Sequence, residues 1–230
     1  MQNRLKEFEK RIEYEFSDIN LLYEALTHSS YVREHHNEDI RSNERLEFLG
    51  DALLDAVAGE ALYLRLTDAE EGRLTKLRAA VVCEKTLAEL GHKLDIGSFM
   101  YMGNGEIKQG GRNRESILAD AIEALIGAMF LDSGYEQVRD FILGVLEEFI
   151  DEAIAGRLVK DYKSAIQELL QAQGVKAPSY QVSKEEGPDH NKTFFVDLII
   201  DGKVYGNGIG HTKKQAEQNA AKQVLEKGIF

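Results

Sequence analysis

Asn43-Glu44-Arg45-Leu46-Glu47-Phe48-Leu49-Gly50-Asp51-Ala52-Leu53-Leu54-Asp55 carries acids at 44, 47, 51 and 55. Spacings of three and four put all of them on one face of a helix that Asn43 is expected to cap. Like charges at that spacing repel by about a few tenths of a kcal/mol per pair, so the stripe costs stability unless a cation sits on it. From this helix alone, a solvated face and a cation site are equally good readings. A second run, Ser116-Ile117-Leu118-Ala119-Asp120-Ala121-Ile122-Glu123-Ala124-Leu125-Ile126-Gly127-Ala128-Met129-Phe130-Leu131, has only two charges, Asp120 and Glu123, one turn apart. A helix that apolar is buried, and buried acids need a partner. No Lys or Arg lies within the run, so the partner is a basic residue from elsewhere or a metal ion. Hard oxygen donors with no nearby Cys or His favour Mg²⁺ or Mn²⁺ over zinc. If the two faces meet, Glu47, Asp51, Asp120 and Glu123 form a four-carboxylate pocket for one or two divalent ions. Such a site suits phosphodiester hydrolysis, where a metal activates water and stabilises charge on the phosphate.

The rest of the composition narrows the class. A chain of 230 residues with 43% hydrophobic and 30% charged residues and only two prolines is long enough for one large or two ordinary globular domains. Its formal charge of −12 argues against nonspecific nucleic-acid binding driven by phosphate neutralisation, so any such contact must be local. Cys83 is the single cysteine, which excludes an intrachain disulfide and a CxxC pair and fits a reducing cytoplasm. No apolar signal core or membrane-spanning window is visible, so no membrane partner is expected.

Charge is unevenly divided. Residues 161–230 hold nine basic and nine acidic side chains, leaving the whole net charge on residues 1–160. Helical periodicity up to about Leu158 gives way to strand-like alternation over 179–209. The expected organisation is an all-α domain over 1–156, a linker at 157–160 and a small α+β domain over 161–230. Helices are expected over 3–14, 18–32, 43–66, 71–91, 116–131 and 135–154. The glycine-rich stretch from Gly103 to Gly111, with Lys108, Arg112 and Arg114, is expected to be a flexible loop. The second part reads α-β-β-β-α: a helix at 162–173, strands near 179–185, 193–201 and 203–209 with a turn at Asp201-Gly202, and a helix at 213–227. Thr212 with Gln215 fits a capping box, placing Lys213 and Lys214 in a first helical turn. Backbone N–H groups and two ammonium groups converge there, an arrangement that suits phosphate oxygens.

Glu44-Arg45-Leu46-Glu47-Phe48-Leu49-Gly50-Asp51-Ala52 resembles the nine-residue signature of the ribonuclease III family. The agreement extends to Leu26-Thr27-His28-Ser29-Ser30, to Glu71-Gly72-Arg73-Leu74-Thr75-Lys76-Leu77-Arg78-Ala79-Ala80, and to Ser116 through Asp120 with Glu123-Ala124-Leu125. The resemblance implies a ribonuclease III-like all-α endonuclease domain and a Mg²⁺-dependent endonuclease of double-stranded RNA, with Mn²⁺ able to substitute. Its catalytic metal ligands would be Glu47, Asp51, Asp120 and Glu123, with secondary acids at Glu44 and Glu71. The family acts as a homodimer leaving 5′-phosphate and 3′-hydroxyl ends with two-nucleotide 3′ overhangs. Phe48 matches an aromatic that plugs into the partner subunit, against the alternative of ordinary core packing.

The C-terminal unit resembles a double-stranded RNA-binding domain, which straddles successive minor grooves and the phosphates between them. That implies minor-groove contacts from Gln167 and Gln171, with Ser164 and Glu168, and a loop Gly187-Pro188-Asp189-His190 in the next groove. Lys213 and Lys214 would grip major-groove phosphates. Glu217 stands where many members of the family carry a third basic residue. The resemblance further implies processing of ribosomal RNA precursors, of structured mRNA and of tRNA in a bacterial cytoplasm, with no DNA expected as partner. The rival is a dimeric RNA-binding regulator that does not cut. A weaker third possibility is a metal-dependent nuclease for DNA.

Overall fold

The computed structural model describes residues 2–35, 40–158, 162–188 and 192–228, and its backbone contacts divide the chain into two units, Met1–Val159 and Lys160–Phe230. Among the described residues the named elements of the first unit are all helices: α1 (Gln2–Ile12), α2 (Ile19–Ala25), α3 (Ser29–Glu34), α4 (Glu44–Arg65), α5 (Glu71–Val81), α6 (Glu84–Lys93), α7 (Ile96–Phe99), α8 (Asn104–Lys108), a 3-10 turn at Gly111–Asn113, α9 (Glu115–Ser133) and α10 (Tyr135–Ile154). The second is α11 (Tyr162–Ala172), β1 (Ser179–Glu186), β2 (Thr193–Ile200), β3 (Lys203–Gly210) and α12 (Lys213–Glu226), its antiparallel strands in the order β1-β2-β3.

The apolar run around Asp120 becomes α9, the hub of the first unit. Ile117, Leu118, Ile122, Leu125, Ile126 and Met129 are all buried in it. Against α9 pack α4, α2, α6 and α10. The face that α4 presents is set by Leu46, Gly50, Leu54, Val57, Ala61 and Leu62, a three-to-four repeat. Each fully buried leucine contributes about 1.5–3 kcal/mol of apolar transfer, so this stripe fixes which way the acids on the same helix point. Where the two helices cross, side chains are excluded altogether. A Cβ on Gly50 would fall on the main-chain carbonyl of Glu123, and one on Gly127 on the carbonyl of Leu46.

Several expected helices are interrupted, each for a local reason. The run 18–32 breaks because Thr27 forms a parallel bridge with Tyr101: His28 N–H donates to the Tyr101 carbonyl at 3.0 Å and Tyr101 N–H to that of Leu26 at 2.8 Å. The His28 ring then caps α3 by accepting from Ser30 N–H. The run 71–91 breaks because Cys83 and Thr86 hydrogen-bond the Ala80 carbonyl with their side chains, closing α5 and starting α6. Asn43 makes no side-chain cap and starts α4 from a helical conformation, contrary to expectation. The glycine-rich stretch is folded as α8 and the 3-10 turn. Glu34 accepts from the N–H groups of Asn104 and Gly105 there, and the Arg112 guanidinium bonds the carbonyls of Gly97 and Met100.

In the second unit Ile166 and Leu170 of α11, Leu198 and Ile200 of β2, and Ala220, Ala221 and Val224 of α12 form the core. The alternation of β2 gives its inward residues directly. The β2–β3 turn falls at Asp201-Gly202, both at positive φ.

Gly50→Ala or Gly127→Ala should force the crossing apart at a cost of about 1–3 kcal/mol or more. Gly59→Ala is the control on the same helix, since its Cβ would meet only the Arg78 side chain at ordinary distance. Thermal unfolding should show a lowered midpoint for the first two variants and an unchanged or raised one for the control.

Candidate functional site

The glycine-on-backbone crossing of α4 and α9 brings acids of the two helices together. Glu47 lies one turn before Gly50 and Asp51 just after it, while Asp120 lies one turn before Glu123, whose own carbonyl is the contact. Carboxylate oxygens of Glu47, Asp120 and Glu123 all lie within 4.8 Å of one another. Each of the three side chains is half-buried. Asp51 is exposed and outside that triplet, yet close enough to Glu123 to disfavour its ionised form.

Electrostatics follow from this packing. Burial is the largest influence on Glu123, and the charges of Asp51, Asp120 and Glu47 add to it, so its pKa is pushed up to about 8. Burial likewise raises Glu47, with Asp120, Glu44 and Asp51 contributing. Asp120 is raised by burial and then by Glu84. Glu84 is an acid that sequence reasoning missed, because it was placed inside a continuous helix over 71–91. The break at Cys83 puts it in the first turn of α6, next to α9.

The remaining acids of the α4 stripe have other neighbours. Asp55 pairs with Arg78 of α5 at 3.3 Å, and Glu44 is exposed and accepts from the Ser42 hydroxyl at 3.0 Å. Glu71 is exposed at the start of α5. Phe48, one residue from Glu47, is 81% exposed, which rules out core packing within this chain.

Three converging half-buried carboxylates with raised affinity for protons can hold a metal ion. A hard divalent cation suits an all-oxygen set, and it would relieve the mutual repulsion that now favours protonation.

In the second unit Thr212 Oγ1 accepts from Gln215 N–H at 3.1 Å, and Gln215 Oε1 in turn accepts from His211 N–H at 2.9 Å. That cap leaves Lys213 and Lys214 exposed in the first turn of α12. Gln167 and Gln171 are exposed on α11. Glu217 pairs with Lys163 of α11 at 2.6 Å. Ser164 lies within α11, but its side chain and that of Glu168 are outside the description, as are Asp189, His190 and linker residues 159–160.

Comparison with known proteins places both units. The Ribonuclease-III-like family pattern matches residues 18–149, and the double-stranded RNA binding motif matches 162–227. The chain is 51% identical to "Ribonuclease 3" of Caldanaerobacter subterraneus subsp. tengcongensis, covering 95% of this chain and 96% of that protein. It is 49% identical to "Ribonuclease 3" of Desulforamulus reducens over 97% of this chain and 90% of that protein. Among solved structures, the nuclease domain of ribonuclease III from Campylobacter jejuni matches with a TM-score of 0.58 and 44% identity, covering 63% of this chain and 96% of that one.

The raised pKa of Glu123 makes stability pH-dependent. Between the ordinary value of 4.5 and about 8, the folded chain holds a proton that the unfolded chain has lost. This contribution is complete below 4.5 and disappears as pH rises through about 8. A divalent cation competes with the same proton, so the rise in thermal midpoint on replacing EDTA with Mg²⁺ should be larger at pH 8 than at pH 5.5. Glu123→Gln should flatten the difference between the two pH values.

Proposed function

The chain belongs to the ribonuclease III family and hydrolyses phosphodiester bonds in double-stranded RNA, and we propose that Glu47, Asp51, Asp120 and Glu123 carry the reaction as ligands of Mg²⁺. The observation that supports this most directly is the convergence of Glu47, Asp120 and Glu123 from two helices locked by a backbone contact. When bound, the ion supplies an activated water and charge stabilisation on the phosphate. The protein's part is to hold the carboxylates at fixed separation, so that neutralisation by the cation precedes entry of a polyanion. Exposed Asp51 completes the ligand set from the solvent side. Glu44 lies one turn before Glu47 and, with Glu71, belongs to the path of the RNA. Mn²⁺ substitutes because it shares the oxygen preference.

In this reading residues 1–156 are the catalytic and dimerisation domain, 157–160 the linker and 161–230 the RNA-binding domain. Gln167, Gln171 and Ser164 address minor-groove hydroxyls, His190 enters the next groove, and Lys213 and Lys214 take phosphates. Phe48 inserts into a second copy of the chain, which accounts for a large aromatic left in solvent beside the catalytic acids. Products carry 5′-phosphate and 3′-hydroxyl ends with two-nucleotide 3′ overhangs. The substrates are precursors of ribosomal RNA, structured mRNA and tRNA in the cytoplasm. Among the described residues no helix is long and apolar enough to cross a membrane.

The test is incubation of the purified chain with duplex RNA, the matching DNA duplex and single-stranded RNA, each in Mg²⁺ or EDTA, beside Glu123→Gln. Cleavage should be confined to duplex RNA with Mg²⁺, and Glu123→Gln should bind that duplex without cutting it. Retention of duplex RNA by the wild type without cleavage in either Mg²⁺ or Mn²⁺ would make the chain a binding protein. Phe48→Ala should shift sedimentation toward the monomer at a concentration where the wild type is dimeric.

A further inference from the structure

Glu185 sits in β1 three residues after Val182, and a bulge at Ser183 decides where its side chain goes. Val182 pairs with Val196, but beyond the bulge Lys184 pairs with Phe195 and Glu185 with Phe194. Without the extra residue Lys184 would stand opposite Phe194, because side chains alternate across a strand. With it, Lys184 turns to the other face, over the Phe195 ring, and a carboxylate takes the place beside Phe194.

That place is where α12 begins. Phe194 is also paired with Gly210, two residues before the cap at Thr212. Lys213 Nζ lies 5.5 Å from the centre of the Phe194 ring and 3.4 Å from Glu185 Oε1. The other carboxylate oxygen, Oε2, lies 3.6 Å from Lys192 Nζ. One carboxylate therefore bridges two ammonium groups over an aromatic ring, with all three charged side chains reachable from solvent: 59% exposed for Lys213 and 37% for both Glu185 and Lys192. Two cations held about one anionic centre are the arrangement that a bridging phosphate oxygen pair would impose.

We infer that Glu185 is an internal stand-in for an RNA phosphate: its carboxylate holds Lys213 in the free protein, must be displaced when a duplex binds, and so sets the strength of RNA binding. This rests on the reading of Lys213 as a phosphate contact. The pair orients the lysine on its aromatic seat, but every phosphate that arrives must exchange with a carboxylate and then tolerate its negative charge nearby.

The experiment measures affinity of the full-length chain for a labelled RNA duplex in EDTA, where the strand stays intact, over a series of salt concentrations. Glu185→Gln should tighten binding about two- to fivefold at low salt, the range that an exposed lysine–carboxylate pair is worth, with the gain fading as salt rises. The salt slope should steepen by up to about one. The gain should vanish in a Lys213→Ala background and persist in a Lys192→Ala background. Unchanged or weaker binding by Glu185→Gln overturns the inference, and so does a gain that survives loss of Lys213. If Lys213→Ala alone leaves affinity unchanged, the phosphate-contact reading itself has failed, a result separable from the others. Thermal unfolding of each variant verifies that the measured protein is folded.

Discussion

Two glycines let the backbone of one helix rest on the backbone of another, and the catalytic half of this protein is arranged around that contact. Gly50 of α4 meets the Glu123 carbonyl and Gly127 of α9 meets the Leu46 carbonyl. Helix axes kept apart by ordinary side chains lie 8–10 Å from each other. Here no side chain separates the two backbones at the contact, and carboxylate oxygens of Glu47, Asp120 and Glu123 lie within 4.8 Å of one another. The apolar surroundings of α9 then raise the cost of leaving those charges unneutralised.

The repulsion among Glu47, Asp120 and Glu123 is therefore a consequence of packing that stabilises the fold elsewhere. Burial of α9 is worth many kcal/mol in apolar transfer, and the carboxylates are carried into the interface with it. An enzyme acting on a polyanion while bearing a net charge of −12 is consistent in these terms, because the acidity lies in the catalytic unit and the RNA-binding unit is neutral overall. Within that neutral unit, cations and acids are paired side by side: Lys163 with Glu217, and Lys213 with Glu185. Shape rather than gross charge has to supply most of the selectivity for duplex RNA.

Much of this was legible from periodicity. The acid-bearing helices, the change from helix to strand and the hairpin at Asp201-Gly202 all follow from spacing and turn chemistry. Boundaries within helical stretches were not. The breaks at Thr27 and Cys83 depend on partners distant in sequence or on side-chain bonds to a carbonyl, and neither alters the apolar repeat. Glu84 was overlooked for that reason. The ordering of the glycine-rich stretch was equally hidden, since Glu34, about seventy residues earlier, supplies the acceptor that starts α8.

The amino-acid order by itself determined which helix faces are apolar, which helices carry acids, and that a capped helix would present Lys213 and Lys214, because those properties arise within a few turns of chain. Tertiary structure decided what those residues face. The crossing at Gly50 and Gly127 brings the Glu47 carboxylate to Asp120 and Glu123, whereas Asp55 of the same stripe turns to Arg78. Only the bulge at Ser183 sets Glu185 rather than Lys184 beside Lys213. A one-residue shift or a missing Cβ leaves little trace in a hydrophobic pattern, yet it selects which charges meet.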